Sequence, residues 1–206
     1  MAQLFRLHPE SPQLRLVRQV AAILREGGVV AWPTDSCYGL CCHIGDKLAM
    51  ERMREIRGVD ERHHFSLVCR TIAQIGLYAR IDDRQYRVIR SLAPGPYAFI
   101  LHASREVPKR LQHPRGRTIG FRMPAHPVVE AILDAVGEPL VTSTLQLPGD
   151  AAPLDDGAEI VARIGRRIDA VIDAGPCGSE PSTVIDMTGD EPVVVRVGRG
   201  PVEAIA

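Results

Sequence analysis

Gly27-Gly-Val-Val-Ala-Trp32, followed at once by Pro33-Thr-Asp-Ser-Cys-Tyr-Gly-Leu40, is the stretch on which the reading of the fold turns. Val29, Val30 and Trp32 are β-branched or aromatic with no polar interruption, as a buried strand requires. Pro33 has no N–H and ends the ladder, after which Thr34, Asp35 and Ser36 present short oxygen-bearing side chains. A polar cluster at the end of a buried strand is where α/β proteins keep their sites. The same residues also suit a strand that merely leads into a helix capped by Asp35 or Ser36, and the segment alone does not choose between the two.

Working outward, apolar residues at Leu14, Val17, Val20, Ala21 and Leu24 form a helical stripe closed by Gly27-Gly28. Asp46 opens a second helix through Met50, Met53 and Ile56 that ends at Gly58, and Phe65 to Cys69 reads as a short buried strand. Helices are expected over Thr71 to Tyr78 and Asp82 to Leu92, then a break at Pro94-Gly95-Pro96 and a strand from Tyr97 to Leu101. Thr118 to Arg122 and Leu140 to Thr144 read as strands on either side of a helix that starts at Pro127 and ends at Val136. A helix from Ala158 to Gly165 precedes closing strands at Val171 to Asp173, Ser182 to Met187 and Pro192 to Val197. Helices and strands alternate to the end, so the class is α/β with a mixed sheet. The loops Gln112 to Gly116 and Gly149 to Gly157 are candidate lids.

The chain has 206 residues, 45% of them hydrophobic, enough for one packed domain. No run approaches the roughly 20 apolar residues of a membrane span. The start, Met1-Ala-Gln-Leu-Phe-Arg6, lacks the charged and apolar regions of a signal peptide, so a cytoplasmic location is expected. The cysteines Cys37, Cys41, Cys42, Cys69 and Cys177 are odd in number and include no Cys-x-x-Cys, which suggests neither a disulfide framework nor zinc. Cys37 lies within the polar cluster, and packing is its expected role. The histidines show no ligand spacing, and His63-His64 reads as a solvent-side pair on a strand.

Lys+Arg and Asp+Glu balance at 25 each, which argues against nucleic-acid binding through bulk charge. Basic character is nevertheless carried almost wholly by arginine, since Lys47 and Lys109 are the only lysines. Arginine supplies a planar fork suited to phosphate and carboxylate. It clusters at Arg52, Arg54, Arg57, Arg62 and Arg70, at Arg110, Arg115, Arg117 and Arg122, and at Arg196 and Arg199. Three clusters so far apart in sequence would matter if they met on one face.

Four strand ends share a texture: Pro33-Thr34-Asp35-Ser36, Gly120-Phe-Arg-Met-Pro124, Thr142-Ser143-Thr144 and Pro181-Ser182-Thr183-Val184. Singly, each is ordinary capping or sheet-edge packing. Together they set hydroxyls and a guanidinium beside apolar residues, as a site for a phosphorylated or carboxylated small molecule needs. The Gly-x-x-x-x-Gly-Lys-Ser/Thr, Gly-x-Gly-x-x-Gly, Gly-x-Ser-x-Gly and His-Glu-x-x-His motifs are all missing, so any nucleotide must bind without those loops.

In this order, the segments Trp32 to Leu40, Pro94-Gly-Pro-x-x-Phe-Ile-Leu101, Ile119-Gly-Phe-Arg-Met-Pro-Ala-His-Pro127, Pro139-Leu-Val-Thr-Ser-Thr144, Pro181-Ser-Thr-Val-Ile-Asp186 and Val195-Arg-Val-Gly198 resemble the successive motifs of the YrdC-like family. His8-Pro9, His64-Phe-Ser-Leu-Val-Cys-Arg70 and Val193-Val-Val-Arg196 are similar to its YciO branch. The resemblance implies a single twisted, open mixed-sheet α/β domain over residues 1–206, with a basic concave face. Its better-known members are nucleotidyltransferases that make L-threonylcarbamoyladenylate from ATP, L-threonine and bicarbonate, releasing pyrophosphate, as a step of tRNA modification. Carried over by position, Thr34 would contact the threonine, Arg122 its carboxylate, and Thr142 and Ser182 would orient it, while Arg57, Thr144 and Arg196 would face the nucleotide. Mg2+ would arrive on the ATP phosphates rather than in a protein cage. The family's Lys-x-Arg and Ser-x-Asn pairs read Arg57-Gly-Val59 and Thr144-Leu-Gln146 here, and a usual Thr is Ala98, which implies weakened or altered synthesis. The alternative is a module that binds double-stranded RNA or tRNA without making the adenylate.

Overall fold

A computed structural model of the chain describes residues 1–60, 63–114 and 116–205, and within it Val30–Trp32 of the opening stretch is a strand buried at every position. The elements run β1 (Gln3–Arg6), α1 (Leu14–Arg25), β2 (Val30–Trp32), β3 (Gly39–His43), α2 (Lys47–Arg57), β4 (Ser66–Val68), α3 (Ile72–Tyr78) and α4 (Asp83–Leu92). They continue with β5 (Tyr97–His102), β6 (Thr118–Arg122), α5 (Pro127–Val136), β7 (Leu140–Thr144), α6 (Gly157–Ile164), β8 (Ala170–Asp173), β9 (Thr183–Asp186) and β10 (Val193–Arg196). The cap signals act as read. Asp46 accepts from the Ala49 N–H at 2.8 Å to start α2, and Gly58, in the left-handed region at φ +61°, stops it. Asp82 and Gln85 close a capping box on α4.

All ten strands described form one mixed sheet in the order β1-β8-β2-β3-β7-β4-β6-β5-β9-β10. Two strands went unread. β1 buries only Phe5 and so lacks a pattern, and β3 sits where the alternative of a capped helix would have placed one. Trp32 pairs antiparallel with Gly39, so residues 33–38 are a loop between strands and not the lead-in to a helix.

Alternation along the strands sends neighbouring side chains to opposite faces. Val30, Trp32 and Cys41 join a smaller core under α1 and α5, whereas Ala31, Leu40 and Cys42 join a larger one built with α2, α3, α4 and α6. Each fully buried Leu or Met here, such as Leu24 or Met53, contributes roughly 1.5–3 kcal/mol. Val68, Leu140 and Arg122 share the face of the smaller core through their register pairing. Two residues along, Ser66 pairs with both Gly120 and Thr142, and Gly120 pairs with Ile100. This row faces the same side, where it lines a cavity in place of a helix.

Candidate functional site

The cavity is about 250 Å³ and is floored by Ser66, Ile100, Gly120 and Thr142. Gly120 leaves room there for the Ser66 hydroxyl, whose oxygen a Cβ would approach to 2.6 Å. Arg57, Arg122 and Arg196 line it, one arginine from each of the three sequence clusters, and no lining residue among those described is a carboxylate. The clusters do not converge whole. Arg52 pairs with Asp169, Arg70 with Glu130 and Asp134, and Arg110 donates to the Ile44 and Gly45 carbonyls. Arg62 and Arg115 lie outside the described residues.

Thr142, Thr144 and Ser182 also line the cavity, so six of the seven residues singled out from the sequence surround one space. Thr34 is the exception. It is buried and its hydroxyl is spent inside its own turn, donating to the Cys37 carbonyl at 2.7 Å and accepting from the Ser36 N–H at 3.2 Å. Thr34 thereby shapes the loop, whose next two residues, Asp35 and Ser36, reach the lining residue Arg122. Arg122 donates to Asp35 Oδ1 at 3.0 Å and to Ser36 Oγ at 2.9 Å, and Asp35 Oδ2 accepts from the Ala125 N–H at 2.8 Å. Asp35 and Arg122 are each only 9% exposed.

The opposite wall is built from the end of α2 and the end of β7. Arg57 is the last residue of α2, and a Cβ on the following Gly58 would meet Pro148 Cγ at 2.5 Å, so the helix end lies hard against the segment after β7. The Arg57 guanidinium donates to the Gln146 carbonyl at 3.0 Å, and Gln146 Nε2 donates onward to the Asp150 carbonyl at 2.9 Å. Asp150 also takes an ion pair from Arg163 at 2.8 Å, so the candidate lid at 149–157 is tied at its start. Val59 and Ala98 stand where the resemblance would have put a guanidinium and a hydroxyl; Ala98 lines the cavity.

His63 and His64 also line the cavity, and they are not on a strand: His63 is half-buried, which corrects its solvent-side reading, whereas His64 is exposed as read. They precede β4 in a loop, so the alternation argument did not apply. His63 Nε2 lies 3.1 Å from Ser143 Oγ, and its ring meets Phe65 edge-on at 5.6 Å between centroids. Burial, together with Arg57, His64 and Arg54, pushes the His63 imidazole down to about 4. Burial likewise lowers the pKa of Arg57, and of Arg196 with help from nearby Arg122. The Nε atoms of Arg57 and Arg122 are buried without a partner among the described residues. Buried guanidinium donors left unpaired are costly, and charge-assisted bonds to an anion are the kind that offset such a cost. Arg196 donates to the Ser182 carbonyl at 2.8 Å.

Cys37 is 2% exposed and is not among the lining residues, and burial raises its thiol further from ionisation. All five cysteines are free. A second, open groove is lined by Arg80, His102, Arg105, Lys109, His113 and Arg117, and His64 and His113 touch at 4.3 Å between ring centroids where the two spaces adjoin. Gln112 to Gly116, the other candidate lid, contributes to that groove in its described residues. No helix among the described residues is long and apolar enough to cross a membrane.

Comparison with known proteins fits this geometry. The model of the Sua5/YciO/YrdC family, described as telomere recombination, matches residues 22–198. The uncharacterised protein YciO of Escherichia coli strain K12 is 44% identical over 203 residues, 98% of each chain, and the E. coli YciO crystal structure covers both chains in full with a TM-score of 0.96. A threonylcarbamoyl-AMP synthase of Halorhodospira halophila is 35% identical over 170 residues, 82% of this chain and 88% of that one. The crystal structure of Pyrococcus abyssi Sua5 complexed with L-threonine is 26% identical with a TM-score of 0.91, covering 99% of this chain and 60% of that one.

Proposed function

This chain belongs to the Sua5/YciO/YrdC family, and from that premise we propose that it is a threonylcarbamoyladenylate synthase of weakened or altered activity, acting on ATP, L-threonine and bicarbonate in the cytoplasm. The observation that carries the reading is the convergence of three guanidiniums on a cavity without a lining carboxylate, two of them with buried, unpartnered N–H groups. Arg122, fixed in orientation by Asp35 and Ser36, holds the amino-acid carboxylate, with Thr142 and Ser182 beside it. Arg57, Thr144 and Arg196 face the nucleotide, with Mg2+ carried on the ATP phosphates.

The chemistry asks for positioning and charge neutralisation rather than a nucleophilic side chain. The threonine amine takes up the bicarbonate carbon with loss of water. The resulting carbamate oxygen attacks the α-phosphorus, and pyrophosphate leaves. Val59, Gln146 and Ala98 remove or alter groups that the family pattern supplies on the nucleotide side. One lost charge-assisted bond to phosphate costs on the order of 2 kcal/mol, so two or three reduce turnover by orders of magnitude. Mass spectrometry of the product from ATP, bicarbonate and a mixture of amino acids tests this, with Arg122→Ala as control. The expected result is a carbamoyl adenylate whose formation needs threonine and bicarbonate. ATP binding with no such dependence would sink the proposal.

A second reading, RNA binding, is favoured by the open groove, whose six basic side chains have no lining carboxylate among the described residues and adjoin the cavity at His64 and His113. It expects affinity for double-stranded RNA or tRNA that falls steeply with salt, through counterion release. Binding that ignores salt would count against it.

A further inference from the structure

His63 is the half-buried titratable side chain of the cavity that the proposed reaction leaves without a task, the exposed His64 lying beside it. It stands on the wall that carries Arg57, the same wall on which Val59 replaces a guanidinium of the family pattern. Charged and titratable groups face it from each element around it: Arg54 and Arg57 from α2, and Asp60 and His64 from its own loop. From β7 comes the Ser143 hydroxyl. Burial and the neighbouring cations outweigh Asp60, so the ring is neutral in the empty cavity at physiological pH. In the neutral tautomer that carries its proton on Nδ1, Nε2 accepts the Ser143 O–H. A protonated Nε2 instead donates to Ser143 Oγ and leaves that hydroxyl's proton free to donate elsewhere.

We propose that His63 is a further phosphate-binding residue of the cavity, one that becomes cationic only when an oxyanion settles beside Arg57. Proton uptake by His63 then supplies part of the charge that Val59 does not, and it turns the Ser143 hydroxyl into a donor toward the same oxyanion. This rests on the reading that the cavity receives the phosphates of a nucleotide. A nearby negative charge moves a titration midpoint by roughly one to three pH units, enough to bring the imidazole from about 4 to near neutrality.

The test is an NMR titration of the histidine side chains between pH 4 and 8, with and without ATP, paired with calorimetry of ATP binding at pH 6.0 in buffers of different ionisation enthalpy. The His63 midpoint is expected to rise by roughly two pH units with ATP bound. The wild-type protein takes up about half a proton more than His63→Gln, a comparison in which the ligand's own protonation cancels. Affinity at pH 6.0 relative to pH 7.5 should favour the wild type by about twofold more than it favours the variant. ATP that binds while the His63 resonances stay neutral overturns the proposal and leaves the synthase reading standing. Failure of ATP to bind the wild type overturns both. If His63→Gln does not fold, the titration of the unaltered protein decides by itself.

Discussion

The two walls of the cavity hold their charge differently. Arg122 is locked, with Asp35 and Ser36 on its guanidinium and Asp35 itself anchored by the Ala125 N–H. Among the described residues Arg57 donates to one backbone carbonyl, with a neutral imidazole lining the same wall. Each guanidinium keeps a buried Nε without a partner among the described residues, but only that of Arg122 is orientated in advance by a carboxylate. The Arg57 wall is unfinished, and its stabilisation is reserved for whatever anion arrives. An amino-acid carboxylate has one geometry and suits a preset clamp, whereas a chain of phosphates suits a wall that responds.

Breaking the locked wall has the largest expected effect. Asp35→Ala leaves Arg122 buried without its carboxylate and should cost about 3 kcal/mol of stability in urea denaturation; a loss under about 1 kcal/mol would mean the pair is not the anchor of that wall. Arg57→Ala on the responsive wall should change stability by under about 0.5 kcal/mol while weakening ATP binding by about 2 kcal/mol, near thirtyfold, in calorimetry. Equal losses in both quantities would erase the contrast between the walls.

Acid probes the same wall more gently. Because burial keeps folded His63 neutral down to about 4, the unfolded chain binds its proton first as pH falls below about 6.5. Its contribution to stability is therefore fully present above about 6.5 and declines between there and 4, by about 1.5 kcal/mol once the ring's contact with solvent is allowed for. His63→Gln should flatten that part of the profile, and His126, whose midpoint burial also lowers, should retain its own share. The smallest effect is expected from Val59→Arg, which restores a guanidinium to the unfinished wall and should tighten ATP binding by about 1 kcal/mol. No change in affinity would show that the half-buried side chain at 59 does not reach the phosphates.

Much of this was legible beforehand. The helices with a periodic stripe and a cap, such as α1 and α2, stand where their apolar spacing put them, because local chemistry sets both their faces and their ends. The strand β2 and the hydroxyl-bearing ends of β7 and β9 were equally visible. What escaped depends on partners distant in sequence. Gly39 to Cys42 carries no polar residue because both its faces are buried, so period-two alternation could not mark it, and its neighbours β2 and β7 lie on either side of it in the sheet. At Thr34 the turn itself was hidden, since only the fold shows that its hydroxyl bonds to the Cys37 carbonyl. His63 was misread because the strand rule was extended to a loop. A signal was present all the same, in its position six residues after Arg57 and just before a strand that floors the cavity.

The residues around the cavity come from α2, from six strands and from the loops beside them, and strands adjacent in the sheet are mostly remote in the chain. Such an arrangement is slow to assemble, because non-local pairings must close long loops before they are rewarded. Arg57, Arg122 and Arg196 come to face one another only when the ordering of the central strands is complete, so the three like charges oppose one another most at the last stage of folding. An anion bound there recognises only the finished chain, and at a hundred times its dissociation constant it adds about 2.7 kcal/mol to the native state. The cavity thus acts as a seal on the topology, and the cellular supply of its ligand sets how firmly that seal is closed.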